Sequence, residues 1–303
     1  MTRKCDILRL EVNDMEEVYA ALIIDLKDSR KYPDRDRKKI QDYWNKISKI
    51  LNTIFKDNME FEVDFSGGDQ IQGLFYTPEA AYLYYRLFSM CTHPIQTHGG
   101  IGVGSCNIQL ADKHTGGQDG TAYHRARAAS DLADADIGYP VLLNSGNIER
   151  DRMINSLIGF AALTALRHTA HQNQILLLTE LLYPIPAENI SFDREWASGE
   201  LNELVLRKVE FDQIFAETKK KNLPFDDLLK LEDNPFDFEE KRKTTKEKSK
   251  NFYITEGKGR GIPRTLSDIL GIYRQSIDTT LKAADIFNIR NLSIAALEEM
   301  RRI

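Results

Sequence analysis

Cysteine is scarce in this chain. Three in 303 residues, Cys5, Cys91 and Cys106, are an odd set without C-x-x-C spacing. They read as reduced thiols of a cytoplasmic protein, not as a disulfide framework. Long apolar runs are missing too. The longest, Tyr19 to Ile24 and Leu176 to Leu178, fall far short of the roughly 18 residues a membrane span requires, so no membrane partner is expected. The start, Met1-Thr2-Arg3-Lys4-Cys5-Asp6, has no apolar h-region, and a secretory leader is not expected either. A surplus of positive charge is also absent. With 41 Lys+Arg against 46 Asp+Glu the formal net charge is −5, which argues against a basic coat along the whole chain but not against a local patch. What is present is ordinary. A hydrophobic content of 42% excludes disorder as the main state and supplies enough apolar surface for two domains.

Residues 19–145 alternate between strand and helix patterns. Tyr19 to Asp25 is a short continuous apolar run, as expected of a strand buried on both faces. Ile40, Trp44, Ile47, Leu51 and Ile54 then recur every three or four residues, one face of a long helix. Glu60 to Phe65 and Gln70 to Phe75 alternate with period two around Ser66-Gly67-Gly68-Asp69, which predicts a β-hairpin with an acidic residue at its tip. A second amphipathic helix spans 78–92, a Gly-punctuated strand 100–105, a third helix about 120–135 and a last strand 140–144. The order β-α-β-β-α-β-(β)-α-β contains the split βαββαβ core of ferredoxin-like folds, with a further unit at its end.

Beyond it the pattern changes. Residues 155–182 and 200–232 read as helix, and 232–261 is dense in charge, acidic from Glu232 to Glu240 and basic from Lys241 to Lys250. Gly261 opens a helix, a turn at Gly271, a second helix and a short tail. The expected α+β architecture is therefore a domain at about 15–150 followed by a helical module at 151–303.

Chemistry concentrates at Asp25, which ends a buried strand, and Asp69, at the hairpin tip. Each alone is ordinary, as a helix cap or a turn residue. Together, on neighbouring strands, two carboxylates can hold Mg²⁺ or Mn²⁺, with the Leu26 carbonyl as a natural extra ligand. Gly67 and Gly68 would let a triphosphate approach the backbone. In Asp28-Ser29-Arg30, the Ser29 hydroxyl and Arg30 guanidinium suit phosphate oxygens, although a polar loop there is equally ordinary. Gln41 and Asn52 lie on the polar side of their helix, where solvation is the default.

These residues carry a resemblance. Ile24-Asp25-Leu26, Ser66-Gly67-Gly68-Asp69, Gly100-Ile101-Gly102-Val103-Gly104 and Gly120-Thr121-Ala122-Tyr123-His124 resemble, in order and approximate spacing, the catalytic core of class III nucleotide cyclases. The Gly-Gly-Asp hairpin is also similar to that of the GGDEF diguanylate cyclases, a related palm domain. Asp25 with Asp28-Ser29-Arg30, then Arg37, Gln41, Asn52, Gly68 to Leu74, Asp119-Gly120 and Ala126-Arg127, resemble more closely the SatD family of bacterial proteins. That family pairs such a domain with a C-terminal helix-turn-helix. The likeness covers about 19–145, 160–180 and 262–285, and it implies an insertion at 183–261.

The resemblance implies a nucleoside triphosphate ligand, two Mg²⁺ or Mn²⁺ on Asp25 and Asp69, nucleotide contacts at Leu26, Ser29, Gly67, Gly68 and Asp119, and a homodimer. Arg30 or Arg127 would neutralise the pyrophosphate leaving group. Three positions depart from the cyclase pattern. His124 stands where cyclases place a transition-state Asn, Ala128 where they place an Arg, and Phe65 where some place a base-reading Lys. Either His124 and Arg127 perform that work differently, or the domain binds a nucleotide without cyclising it and serves as a sensor.

Arg264 to Leu281 fits a helix-turn-helix, with Leu266, Leu270, Ile272, Ile277 and Leu281 as the packing set. Its second helix would display Arg274, Gln275, Ser276, Thr279 and Lys282, side chains suited to phosphates and base edges of DNA. A hairpin for oligomerisation satisfies the same pattern. His168 and His171 read as a core or surface pair, and the cluster of Trp44, Phe75, Tyr76, Tyr82, Tyr84 and Tyr85 as core.

Overall fold

β1 (Val18–Leu26) runs down the middle of a sheet, which is why its apolar run is unbroken. It pairs antiparallel with β3 (Gln70–Phe75) on one side and β4 (Thr97–Ser105) on the other. β2 (Met59–Gly67) closes one edge against β3, and the short β5 (Val141–Asn144) runs parallel to β4 at the other. The computed structural model describes residues 17–107, 119–135, 138–185, 198–218 and 261–303. The order β2-β3-β1-β4 is consistent with the ferredoxin-like arrangement expected, and β5 is the added unit. The further strand bracketed after β4 is absent among the described residues, where only an isolated Asn107–Asp119 bridge occurs.

Alternate residues of β1 serve two cores. Ala20, Leu22, Ile24 and Leu26 pack under α1 (Asp34–Phe55) and α2 (Pro78–Thr92). Tyr19, Ala21 and Ile23 pack against Ala122, Tyr123 and Ala126 of α3 (Thr121–Ala135) on the opposite face. Gly100, Gly102 and Gly104 of β4 make room for this second contact. A Cβ at Gly100 would lie 2.0 Å from the Ala126 carbonyl oxygen, and one at Gly102 would lie 2.1 Å from that of Ala122. Only a bare backbone admits the helix so closely. Asn52 corrects the sequence expectation: it is buried, and its amide spans the irregular register of β2 by donating to Val63 O (3.0 Å) and accepting from Val63 N (3.2 Å). Tyr76, expected in the core, is 46% exposed at the end of β3 and donates to Glu60.

The helices that follow are α4 (Ile148–Leu166), α5 (Ala170–Leu182), α6 (Ser198–Thr218), α7 (Ile262–Leu270), α8 (Arg274–Ala283) and α9 (Ile286–Met300). The expected single stretch at 155–182 begins earlier, capped by Asn147, and breaks where Thr169 and Gln172 form a capping box. The expected tail is a correction: it is α9, fifteen residues long, whose Arg290 is wholly buried. Glu180 of α5 receives Arg86 of α2 at 2.7 Å and Arg290 of α9 at 2.9 Å, tying three helices through one carboxylate. The α7–α8 turn at Gly271 adopts positive φ, and the Ser267 hydroxyl closes it on Ile272 O at 2.6 Å. Cys5 and the charge-dense stretch from Glu232 to Arg260 lie outside the described residues. Among those described, no helix is long and apolar enough to cross a membrane.

Candidate functional site

Asp25 is the last α3-facing residue of β1, directly opposite Gln70 on β3 and His98 on β4. Its side chain is 31% exposed, its Oδ1 accepts the Leu26 N–H at 2.8 Å, and its Oδ2 stands 4.0 Å from His98 Nε2. Asp69 immediately precedes Gln70 in the hairpin turn, so the register carries both aspartates to one end of adjoining strands. Gly68 takes φ +59° in that turn, and its carbonyl accepts from Gln41 Nε2 of α1 at 3.0 Å. A Cβ at Gly67 or Gly68 would meet nothing within 4 Å, so the tip faces open space.

Ser29 and Arg30 follow β1 at this same end, on a short 3-10 turn entered through Asp28 at φ 56°. Lys31 pairs with the Asp28 carboxylate at 2.8 Å and holds its pKa below the usual carboxylate range. Arg127, exposed on α3, donates from Nη1 to Gln70 Oε1 at 3.2 Å. Gln70 Nε2 in turn donates to Ser66 Oγ at 2.9 Å. Arg125 is spent elsewhere, donating to Val103 O beneath its own helix.

Two other candidates lie at the far end of the sheet. α3 runs antiparallel to β4, with Thr121 against Gly104 and Ser130 against Gly100. Asp119 and Gly120 therefore sit by Ser105, which pairs with Val18, seven residues up β1 from Asp25. At roughly 3.3 Å per residue that is about 23 Å of strand. His124 is exposed there and contacts Asp119 Oδ1 at 3.1 Å. One chain does not bring His124 or Asp119 to Asp25. Sequence reasoning picked Gln41 and Gln70 only from the family pattern and passed over His98. Its signal was its place on β4, opposite the acidic end of β1.

Could these residues hold a cation? Among the described residues no group of three or more His, Cys, Asp or Glu is placed to hold a metal. A pair of hard carboxylates fits Mg²⁺ or Mn²⁺ only if phosphate and water complete the shell, which is the habit of Mg²⁺ in nucleotide sites.

A family model, the SatD family, matches residues 19–199. The chain belongs to the SatD family. This SatD-family match ends before α7 and α8, so the resemblance expected at 262–285 lies outside it. Among solved structures, a bacterial light-regulated adenylyl cyclase matches with 16% identity and a TM-score of 0.31, covering 44% of each chain. The likeness spans less than half the cyclase's length. No curated protein matches the chain.

α8 displays Arg274, Gln275, Ser276, Thr279 and Lys282 to solvent, after a Tyr273 that is 86% exposed. Two of the five have partners within the helix: Thr279 donates to Gln275 O, and Lys282 pairs with Asp278. His168 is buried with Nε2 2.7 Å from Ala284 O, and His171 is half-buried, as a structural pair would be.

Proposed function

We propose that this protein binds a nucleoside triphosphate through Mg²⁺ or Mn²⁺ held by Asp25 and Asp69, and acts on it in the manner of a nucleotidyl cyclase. The pairing of Asp25 with Gln70, which puts Asp69 at the same strand end, carries this reading. The cation would polarise the 3′-hydroxyl and stabilise charge at the α-phosphate. Leu26, Ser29 and Arg30 leave β1 at that end, and the open space over Gly67 and Gly68 leaves room for phosphates against the backbone. Arg30 or Arg127 neutralises the pyrophosphate.

The separation of His124 and Asp119 from Asp25 supports a homodimer in this reading, because a second copy laid head-to-tail can carry one chain's His124 to the other's aspartates. Titration calorimetry of the full chain with each nucleoside triphosphate, with and without Mn²⁺, tests it. Binding should require the metal and be lost in both Asp25→Asn and Asp69→Asn. Metal-independent binding, or binding that survives both substitutions, overturns it.

A second reading is favoured by the solvent-facing polar residues of α8: a nucleotide sensor that contacts DNA through a helix-turn-helix built from α7 and α8. Pyrophosphate release separates the two. Release favours the cyclase-type enzyme, and tight binding without release favours the sensor.

A further inference from the structure

We infer that Gln70 is a positioning residue that holds Arg127 at the metal end of its own chain. The inference rests on the nucleotide-site reading above. Gln70 faces Asp25 across the sheet, and its amide is oriented by its partners: Nε2 donates to Ser66 Oγ at 2.9 Å, which leaves Oε1 to accept from Arg127 Nη1 at 3.2 Å. Buried Gln72, two residues on, presents its own Oε1 to the same Nε2 at 3.4 Å and favours that orientation. Arg127 is otherwise exposed on a helix whose N-terminal residues, His124 among them, lie toward the opposite end of β1. Without the amide, a long side chain there would sweep solvent and pay rotamer entropy on meeting a phosphate. With it, the guanidinium is pre-aimed beside Asp25 and Asp69. Arg127 thereby belongs to the aspartate site of the same polypeptide, whereas His124 requires a second copy.

A double-mutant cycle on the full chain decides this, read as the affinity for a non-hydrolysable triphosphate with Mn²⁺. Gln70→Met keeps the side chain's length and removes the acceptor. It should weaken binding about threefold to tenfold, the scale of one ordinary, solvent-exposed hydrogen bond. Arg127→Met should weaken it at least as much, and the double variant should match Arg127→Met alone. The salt dependence of binding should flatten alike in Arg127→Met and the double variant and by no more than that in Gln70→Met, a change that loss of packing would not produce. Wild-type affinity in Gln70→Met, or losses that simply add, overturns the inference while leaving the metal site standing. If wild type binds no metal–triphosphate, the site reading itself falls and the inference with it.

Discussion

Asp25 and Gln70 face each other across β1 and β3, and Asp69 is the residue next to Gln70 along the chain. A cation shared by the two aspartates binds only the folded protein, because unfolding separates them. Millimolar Mg²⁺ or Mn²⁺ should therefore raise the melting temperature. At a hundredfold excess over the dissociation constant the stabilisation is about 2.7 kcal/mol. Asp69→Asn removes one of two like charges, so its metal-free stability should equal or exceed that of wild type, and its metal response should vanish. Thermal melts of both proteins, with and without metal, are sufficient. A full metal response in Asp69→Asn would show that the cation sits elsewhere.

Glycines at two places in the fold predict opposite outcomes. A Cβ at Gly67 meets nothing within 4 Å, so Gly67→Ala should fold as wild type and lose nucleotide affinity only if phosphate approaches that backbone. At Gly102 a Cβ would stand 2.1 Å from both Ala122 O and Ala126 N. Gly102→Ala must push α3 off the sheet, at a cost of about 3 kcal/mol or more. Urea unfolding of the two variants, with a nucleotide titration of Gly67→Ala, separates the functional glycine from the packing one.

Glu180 contacts both buried arginines, Arg86 at 2.7 Å and Arg290 at 2.9 Å. Burial works to raise its pKa, but the flanking guanidinium groups, Arg290 foremost, hold it below the ordinary value. Glu180→Gln keeps the shape but removes the negative charge that both buried guanidinium groups face, which should cost about 3 to 5 kcal/mol. Chemical denaturation measures it. A cost under about 1 kcal/mol would mean that water reaches the arginines.

The helices and strands around Asp25 were legible because each has one period and one face to bury: the run at Tyr19 to Ile24, the alternation around Gly67-Gly68, the stripe from Ile40 to Ile54. α9 was not, although Ile286, Ile289, Ser293, Leu297 and Met300 keep a helical spacing, because Arg290 and the closing arginines give the segment the look of a polar tail. Asn52 was missed for the converse reason. A buried amide is invisible to hydrophobic periodicity, and only the register of β2 shows the unpaired Val63 groups that it satisfies. The site divided likewise. Asp25 and Asp69 follow from strand ends, whereas the distance of Asp119 and His124 depends on α3 running antiparallel to β4, which no motif spacing encodes.

Acid should destabilise the protein through a buried histidine. His93 is buried at the end of α2, where Lys208 Nζ donates to its carbonyl oxygen and His168 lies close by. Burial first, and then the positive charge of Lys208, push its imidazole down to about 3. Burial lowers the pKa of His168 as well. In the unfolded chain both titrate near 6.5. Because the folded value is the lower one, the unfolded state takes up the proton first as pH falls. The stability is complete above about 6.5 and is lost as pH drops toward the folded value. For His93 alone the loss at about pH 5 is roughly 2 kcal/mol, with His168 adding in the same direction. Glu79, whose pKa burial raises, works the opposite way over part of this range, and Glu180 contributes only lower down. His93→Gln isolates the imidazole from both. Urea unfolding at about pH 7.5 and about pH 5 should show a clear drop for wild type and a smaller one for His93→Gln. Equal drops in the two proteins would assign the acid sensitivity to other groups.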